Sequence, residues 1–429
     1  KTAYEIRLSL VGSEMCIRDS PHPTDRIATH ITRETTMTAY DYLIVGGGMT
    51  ADAAARGIRE RDASGTIGIV SAEPHPPYNR PPLSKGLWKG DADDSIWRKS
   101  EETGAEIHLG RRAVRLDAEQ KRVTDDQGAA YQYGKLLLAT GGEPRRLDAA
   151  PDSVIYYRTL DDYRRARELA GRASRFVVLG GGFIGSEVAA ALRMQGNEVT
   201  MIVPENGIAA RVFPADLARF VAKYYREKGV TVHLGDTVTR IATGSRGGFT
   251  VGARAAGPIS AEAVIAGLGI VPNVDLALQA GLAVDNGIVV DTLLRTTSPD
   301  VYAAGDVARF HNPALDKRLR VEHEDNANTM GRTAGLNMAG ADLPYDHLPF
   351  FYSDLFDLGY EAVGEVDARL DTVADWKEPF REGVVYYLES GRVRGVLLWN
   401  VWGQVDAARA LIAEPGPFLA DQLRGRLPG

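Results

Sequence analysis

Two stretches of the chain set three glycines between a short apolar strand and a helix. Asp41–Ala51 reads DYLIVGGGMTA and Arg175–Glu187 reads RFVVLGGGFIGSE. In the first, Gly46, Gly48 and Ala51 fit G-x-G-x-x-A around Gly47, Met49 and Thr50. In the second, Gly180, Gly182 and Gly185 fit G-x-G-x-x-G around Gly181, Phe183 and Ile184. Glycines there let the backbone approach a pyrophosphate, and the helix that follows offers unpaired N–H groups and a partial positive charge. Glu73 and Glu205 each follow their motif by roughly 20 residues, the spacing at which a carboxylate accepts from ribose hydroxyls. Two such devices imply two dinucleotides face to face, and the simplest chemistry for that pairing is hydride transfer between a nicotinamide and a flavin. Both acids repel a 2′-phosphate and favour NADH over NADPH, although Arg211 lies close to Glu205.

Lys85 and Glu187 are the sharpest pair of charges. Lys85 ends the proline-rich stretch His75–Lys85 (HPPYNRPPLSK), and Glu187 sits early in the second nucleotide helix. If the two nucleotide sites converge, these side chains meet at the flavin–nicotinamide junction, where a buried lysine needs a partner. Spacing alone fits two unrelated surface charges equally well. Asp306 closes TTSPDVYAAGD at a strand end, placed to accept from a ribityl hydroxyl. The helix that follows it would point its positive end towards the flavin.

The elements needed to position these groups alternate strand and helix. Strand Tyr42–Val45, helix Ala51–Glu60 and strand Thr66–Val70 form the first unit. The prolines of the following loop exclude a regular helix or a central strand. Short strands from Ile107 to Thr140 turn at Gln127–Gly128. The second unit runs from an Arg-rich helix at Leu160–Ala170 through helices at Ser186–Met194 and Phe213–Lys228 to a strand at Ala263–Ala266. Arg164, Arg165 and Arg167 on the first of these helices form a solvated face rather than a DNA site. From Leu343 the texture changes to strand-like alternation such as Val384–Leu388 and Val393–Trp399. The expected fold is α/β, with two Rossmann-like dinucleotide-binding domains and a C-terminal α+β domain. The FAD-binding domain takes 37–155 and 285–342, the NAD-binding domain 156–284, and the C-terminal domain 343–429.

Composition bounds the function. The 429 residues carry 44% hydrophobic and 25% charged side chains and a net charge of −7, which speaks against a general nucleic-acid binder. No apolar run reaches membrane-spanning length, so no membrane partner and a cytoplasmic location are expected. The single cysteine, Cys16, leaves no intrachain disulfide, zinc site or CxxC pair, and no metal is expected. Residues 1–36 show no helical or strand period, and VGSEMCIRDS resembles translated adapter sequence. They are expected to be a disordered leader, with Met37 a natural start four residues before the first strand.

YNRPPLSKGLW, GGGFIGSE, VYAAGD, RVEHEDNA and FFYSDLFDLGYEAVGEVD together resemble apoptosis-inducing factor and its microbial relatives. These belong to the pyridine nucleotide–disulfide oxidoreductases, beside ferredoxin and rubredoxin reductases. The resemblance runs from Met37 to about Ile412. It implies FAD contacts at Gly46, Gly47, Gly48, Met49, Thr50, Glu73, Arg80, Lys85, Val114, Arg145, Asp306 and His323, with Glu324 beside the last. It implies NADH contacts at Gly182, Phe183, Ile184, Glu205, Arg211, Gly269, Glu322 and Glu361, and a Lys85–Glu187 pair beside flavin N5. Tyr352 stands where the animal protein carries tryptophan against both rings. The animal cell-death role is not carried over.

The expected activity is hydride transfer from NADH to FAD, then electron transfer to a small-molecule or protein acceptor. An NADH-dependent ferredoxin or rubredoxin reductase is the alternative. It needs a basic patch for an acidic carrier, for which Arg111, Arg112, Arg115, Arg145 and Arg146 are candidates. A homodimer that senses NADH, with slow catalysis, is a third reading.

Overall fold

The computed structural model describes residues 37–244 and 247–427, so the expected leader lies outside the described residues. Two sheets carry the two glycine turns, the second parallel and the first parallel except for an antiparallel edge formed by Arg122–Asp125 and Ala113–Asp117. In the first, Met37–Val45 runs between Ile67–Val70 and Ala130–Leu138, and the sheet continues outward through Glu106–His108 on one side. Leu43 and Ile44 are fully buried, as expected of a strand covered on both faces. Val301–Ala303 returns from much later in the chain to pair in parallel with Leu136–Leu138. In the second sheet the order is Thr231–Leu234, Glu198–Val203, Arg175–Leu179, Ala263–Ala266 and Ile155–Tyr156. A two-stranded antiparallel ribbon, Gly142–Pro144 against Ile270–Pro272, joins the exits of the two units.

The third sheet is antiparallel, in the order Phe350–Leu355, Leu358–Gly364, Arg392–Trp399, Glu382–Glu389 and Asp371–Glu378. Its inner face is not a separate core. Tyr360, Tyr387 and Trp399 pack in one apolar cluster with Phe213 and Val188 of the second unit and with Tyr78, Leu83 and Trp88 of the proline-rich segment. The Phe213 ring meets Tyr360 at 5.1 Å and Trp399 at 5.3 Å, both edge to face. This shared core draws the proline-rich segment, the second nucleotide helix and the C-terminal sheet to one place.

One local expectation is corrected and two are sharpened. Met37 is already the first residue of the strand Met37–Val45, because residues 37–40 pair with 130–133. Within His75–Lys85 the only regular turn is a 3₁₀ turn at Pro81–Ser84, in keeping with the absence of a regular helix or central strand, and a short α-helical turn, Gly86–Lys89, follows. Pro81 and Pro82 occupy the first positions of that turn, where no N–H is required. The helix that follows Asp306 does not begin until Glu324. The alternating ARFHN instead forms the strand Ala308–Asn312, hairpinned with Lys317–Leu319, and the next helix is Glu324–Met338.

Candidate active site

The two glycine turns are built alike. Gly46 and Gly180 have φ of +125° and +97°, and a Cβ on either would lie 2.1 and 2.5 Å from the carbonyl oxygens of Ala139 and Gly267. The fold itself demands glycine at these two positions. Gly48 and Gly182 differ. They are the N-caps of Met49–Arg59 and Phe183–Met194, have ordinary negative φ, and a Cβ on either would meet nothing within 4 Å. Packing does not explain glycine there, whereas close approach of a pyrophosphate does. The residues present therefore fit two dinucleotides.

Lys85 and Glu187 are brought together. Lys85 Nζ donates to Glu187 Oε1 at 2.7 Å, with Glu187 only 3% exposed. Two hydroxyls absent from the sequence reading complete the carboxylate's shell. Ser84 Oγ donates to Oε2 and Ser353 Oγ to Oε1, each at 2.5 Å. The Lys85 ammonium also lies 5.1 Å from the Tyr352 ring centroid, a cation–π distance. Burial pushes up the carboxyl of the neighbouring Glu324, against the opposing charges of Arg98 and Lys85.

His323 caps the helix Glu324–Met338, stacks on Phe351 at 4.2 Å and meets the edge of Phe183 at 6.1 Å. Burial lowers its pKa from 6.5 to about 4; Asp306 and Asp325 oppose that shift and Lys85 reinforces it. The folded chain thus keeps this imidazole neutral where the unfolded chain has bound a proton. Stability should fall as pH drops from about 6.5 to about 4, by up to about 1.4 kcal/mol per pH unit, and His323 adds no further loss below that. Urea denaturation of His323→Phe across this range should give a flatter profile; an unchanged slope would rule out His323 as the source.

A second charged chain runs along the first nucleotide site. Glu73 accepts from Arg80 Nη2 at 2.5 Å and from Tyr78 Oη at 2.6 Å, and Arg80 Nη1 donates to the Arg158 carbonyl at 2.9 Å. Burial opposes ionisation of Glu73, but Arg80 and Tyr78 hold its carboxyl below the usual range. Arg158 Nη2 pairs with Asp306 Oδ2 at 2.9 Å. Arg158 was not singled out from the sequence, since an arginine before a polar helix carries no pattern. The expected Arg145 is exposed, its N–H bonded to the Gly269 carbonyl at 2.9 Å.

The remaining expected residues lie further out. Arg211 Nε meets Glu205 at 2.7 Å and is itself 85% exposed. Glu361 faces Tyr352 across the strand pair and accepts from the Gly403 N–H at 3.2 Å. Glu322 is paired with Arg320 at 2.7 Å, and Val114 lies on the exposed strand Ala113–Asp117. Of the five arginines considered for a basic patch, Arg111 meets Asp125 at 3.4 Å, Arg112 meets Glu143 at 3.0 Å, and Arg146 lies on the Tyr156 ring. Arg115 and Arg145 are exposed. Arg167 rests on Trp88 at 5.3 Å, while Arg164 and Arg165 are exposed.

Residues 40–331 match the pyridine nucleotide-disulphide oxidoreductase family. Residues 334–379 and 374–414 match the C-terminal domain of mitochondrion-associated apoptosis-inducing factor. The chain is 33% identical to mitochondrial apoptosis-inducing factor 1 of Dictyostelium discoideum over 416 residues, covering 87% of this chain and 78% of that protein. It is 35% identical to the ferredoxin–NAD(+) reductase component of the anthranilate 1,2-dioxygenase system of Burkholderia cepacia, over 88% of this chain and 95% of that one. Among solved structures, the covalent putidaredoxin reductase–putidaredoxin complex superposes with a TM-score of 0.83 at 30% identity, covering 90% of this chain and 95% of that chain. Among the described residues no helix is long and apolar enough to cross a membrane.

Proposed function

We propose that this chain, which belongs to the pyridine nucleotide-disulphide oxidoreductase family, oxidises NADH and passes the electrons to a ferredoxin-type carrier protein. It is an FAD-dependent NAD(P)H oxidoreductase that uses FAD and NAD(H). It lacks an intrachain redox disulfide, having one cysteine. The observation that carries the reading is the buried Lys85–Glu187 pair, which ties the segment beside the first nucleotide site to the helix of the second.

We assign FAD to residues 37–155 and 285–342 and NADH to 156–284, with 343–429 lying over the junction. The pairing of Val301–Ala303 with the first sheet and the core shared with Tyr360 and Trp399 support this division. The Gly48 and Gly182 turns would bind the two pyrophosphates, and Glu73 and Glu205 the riboses. Arg158 and Asp306 would lie along the FAD. When bound, FAD supplies a redox centre that takes two electrons at once from a nicotinamide and releases them singly. The protein's part is positioning and electrostatics. Lys85 holds a fixed N–H and a positive charge in a dry site, where such a group is worth most as negative charge develops. Phe183, Phe351 and His323 pack ring against ring, and the half-exposed Tyr352 ring lies against the Lys85 ammonium.

Two relatives of nearly full coverage carry a ferredoxin reductase name or a bound redox partner, which supports a protein acceptor. A small quinone is the second reading, favoured because Arg111 and Arg112 are already paired with acids. Anaerobic mixing of the FAD-loaded protein with NADH should bleach the flavin band within seconds, NADPH acting about tenfold or more slowly. Reduced protein offered a ferredoxin and a quinone should favour the ferredoxin, with turnover that falls as salt rises. Absence of bleaching removes the oxidoreductase reading. A quinone preferred at every salt concentration removes the carrier.

A further inference from the structure

Glu187 has more donors than an ion pair requires. Its Oε1 is shared between Lys85 Nζ at 2.7 Å and Ser353 Oγ at 2.5 Å, while Ser84 Oγ holds Oε2 at 2.5 Å. Ser84 and Ser353 are 5% and 1% exposed, so no solvent competes for these bonds. Ser84 arrives with Lys85 on one turn. Ser353 comes from the C-terminal sheet, on the terminal strand Phe350–Leu355. Tyr352 and Ser353 are consecutive and project from opposite faces of that strand, yet both meet the pair. The pair therefore lies along the strand's unpaired edge. Alanine would fill the space of a buried serine, and a hydroxyl is tolerated there only because it is bonded.

We propose that Ser353 is a positioning residue of the Lys85–Glu187 pair, and that its hydroxyl sets how much of the lysine's charge stays uncompensated beside the flavin. The proposal rests on the reading that FAD lies at this pair. A hydrogen bond donated to Oε1 disperses the carboxylate's charge and loosens its hold on the ammonium. Without the hydroxyl, Oε1 belongs to Lys85 alone, the pair tightens, and the positive field at the flavin weakens. A weaker positive field makes the bound flavin harder to reduce. The C-terminal sheet thus acts on the redox site through one side chain.

The test is the midpoint potential of bound FAD in Ser353→Ala, Ser353→Cys and Lys85→Met, with NADH affinity measured alongside. Ser353→Ala should lower the two-electron reduction constant about tenfold, or about 30 mV, and slow reduction by NADH without changing NADH affinity. Ser353→Cys, a weak donor of similar size, should fall between serine and alanine. Ser84→Ala, which acts on the other oxygen, should shift the potential in the same direction. The proposal is overturned if Ser353→Ala keeps the wild-type potential while Lys85→Met shifts it, since Ser353 would then only fill space. If FAD binds but Lys85→Met also leaves the potential unchanged, the placement of the flavin at this pair fails, and the proposal fails with it.

Discussion

Gly182→Ala should give a folded, yellow protein that NADH no longer reduces, and Gly48→Ala a folded, colourless one. Both substitutions suit their backbones, because φ is −79° at Gly182 and −97° at Gly48, and an added Cβ meets no protein atom within 4 Å. The methyl would instead stand where the pyrophosphate must approach the first amides of the helix. A loss of about 100-fold in affinity for the matching nucleotide is expected, about 2.7 kcal/mol. Calorimetric titration of NADH into Gly182→Ala, and the flavin absorbance of purified Gly48→Ala, are the measurements. The neighbouring Gly46 and Gly180 should behave differently, since substitution there drives a Cβ into a backbone oxygen and costs the fold itself. Wild-type NADH affinity in Gly182→Ala would remove the second turn as a nucleotide site.

The second large effect separates stability from turnover at the buried pair. Lys85→Met leaves the Glu187 carboxylate, 3% exposed, with two serine donors and no counter-charge. Breaking a buried pair from one side costs about 3–5 kcal/mol. Lys85→Met with Glu187→Leu should recover part of that loss, because the uncompensated charge is gone. Recovery stays incomplete, since Ser84 and Ser353 then lose their acceptor. Neither variant should regain rapid reduction by NADH. Urea unfolding monitored by tryptophan fluorescence, with stopped-flow flavin reduction, reads both quantities. A cost below about 1 kcal/mol for Lys85→Met is what a solvent-exposed pair would show, and it would sink the argument.

The acceptor is decided elsewhere on the molecule. The charges at the rim of the two exits are partly spent within the chain, as Arg112 with Glu143 shows. A carrier protein must therefore find its complement among exposed groups such as Arg115 and Arg145, and that requirement makes the salt dependence of turnover informative.

The two glycine turns, the acids Glu73 and Glu205 that follow them and the strand-rich C-terminal region were legible in the sequence alone. Each depends on a short run whose backbone chemistry is local: glycines before a helix, an acid at the next strand end, alternation along a strand. Lys85 and Glu187 stood out as residue types, but their spacing fitted two unrelated surface charges equally well, and the contact between them is a tertiary fact. The helix that follows Asp306 comes later than its neighbourhood suggests, since ARFHN satisfies its backbone in a hairpin with a later strand first. What only the tertiary structure decided is the company these residues keep. Ser84, Ser353 and Arg158 belong to the site because Trp88, Phe213, Tyr360 and Trp399 close one core across three segments. Long-range apolar packing chooses which distant hydroxyl or guanidinium faces a carboxylate, and a serine or arginine carries no local mark of that choice.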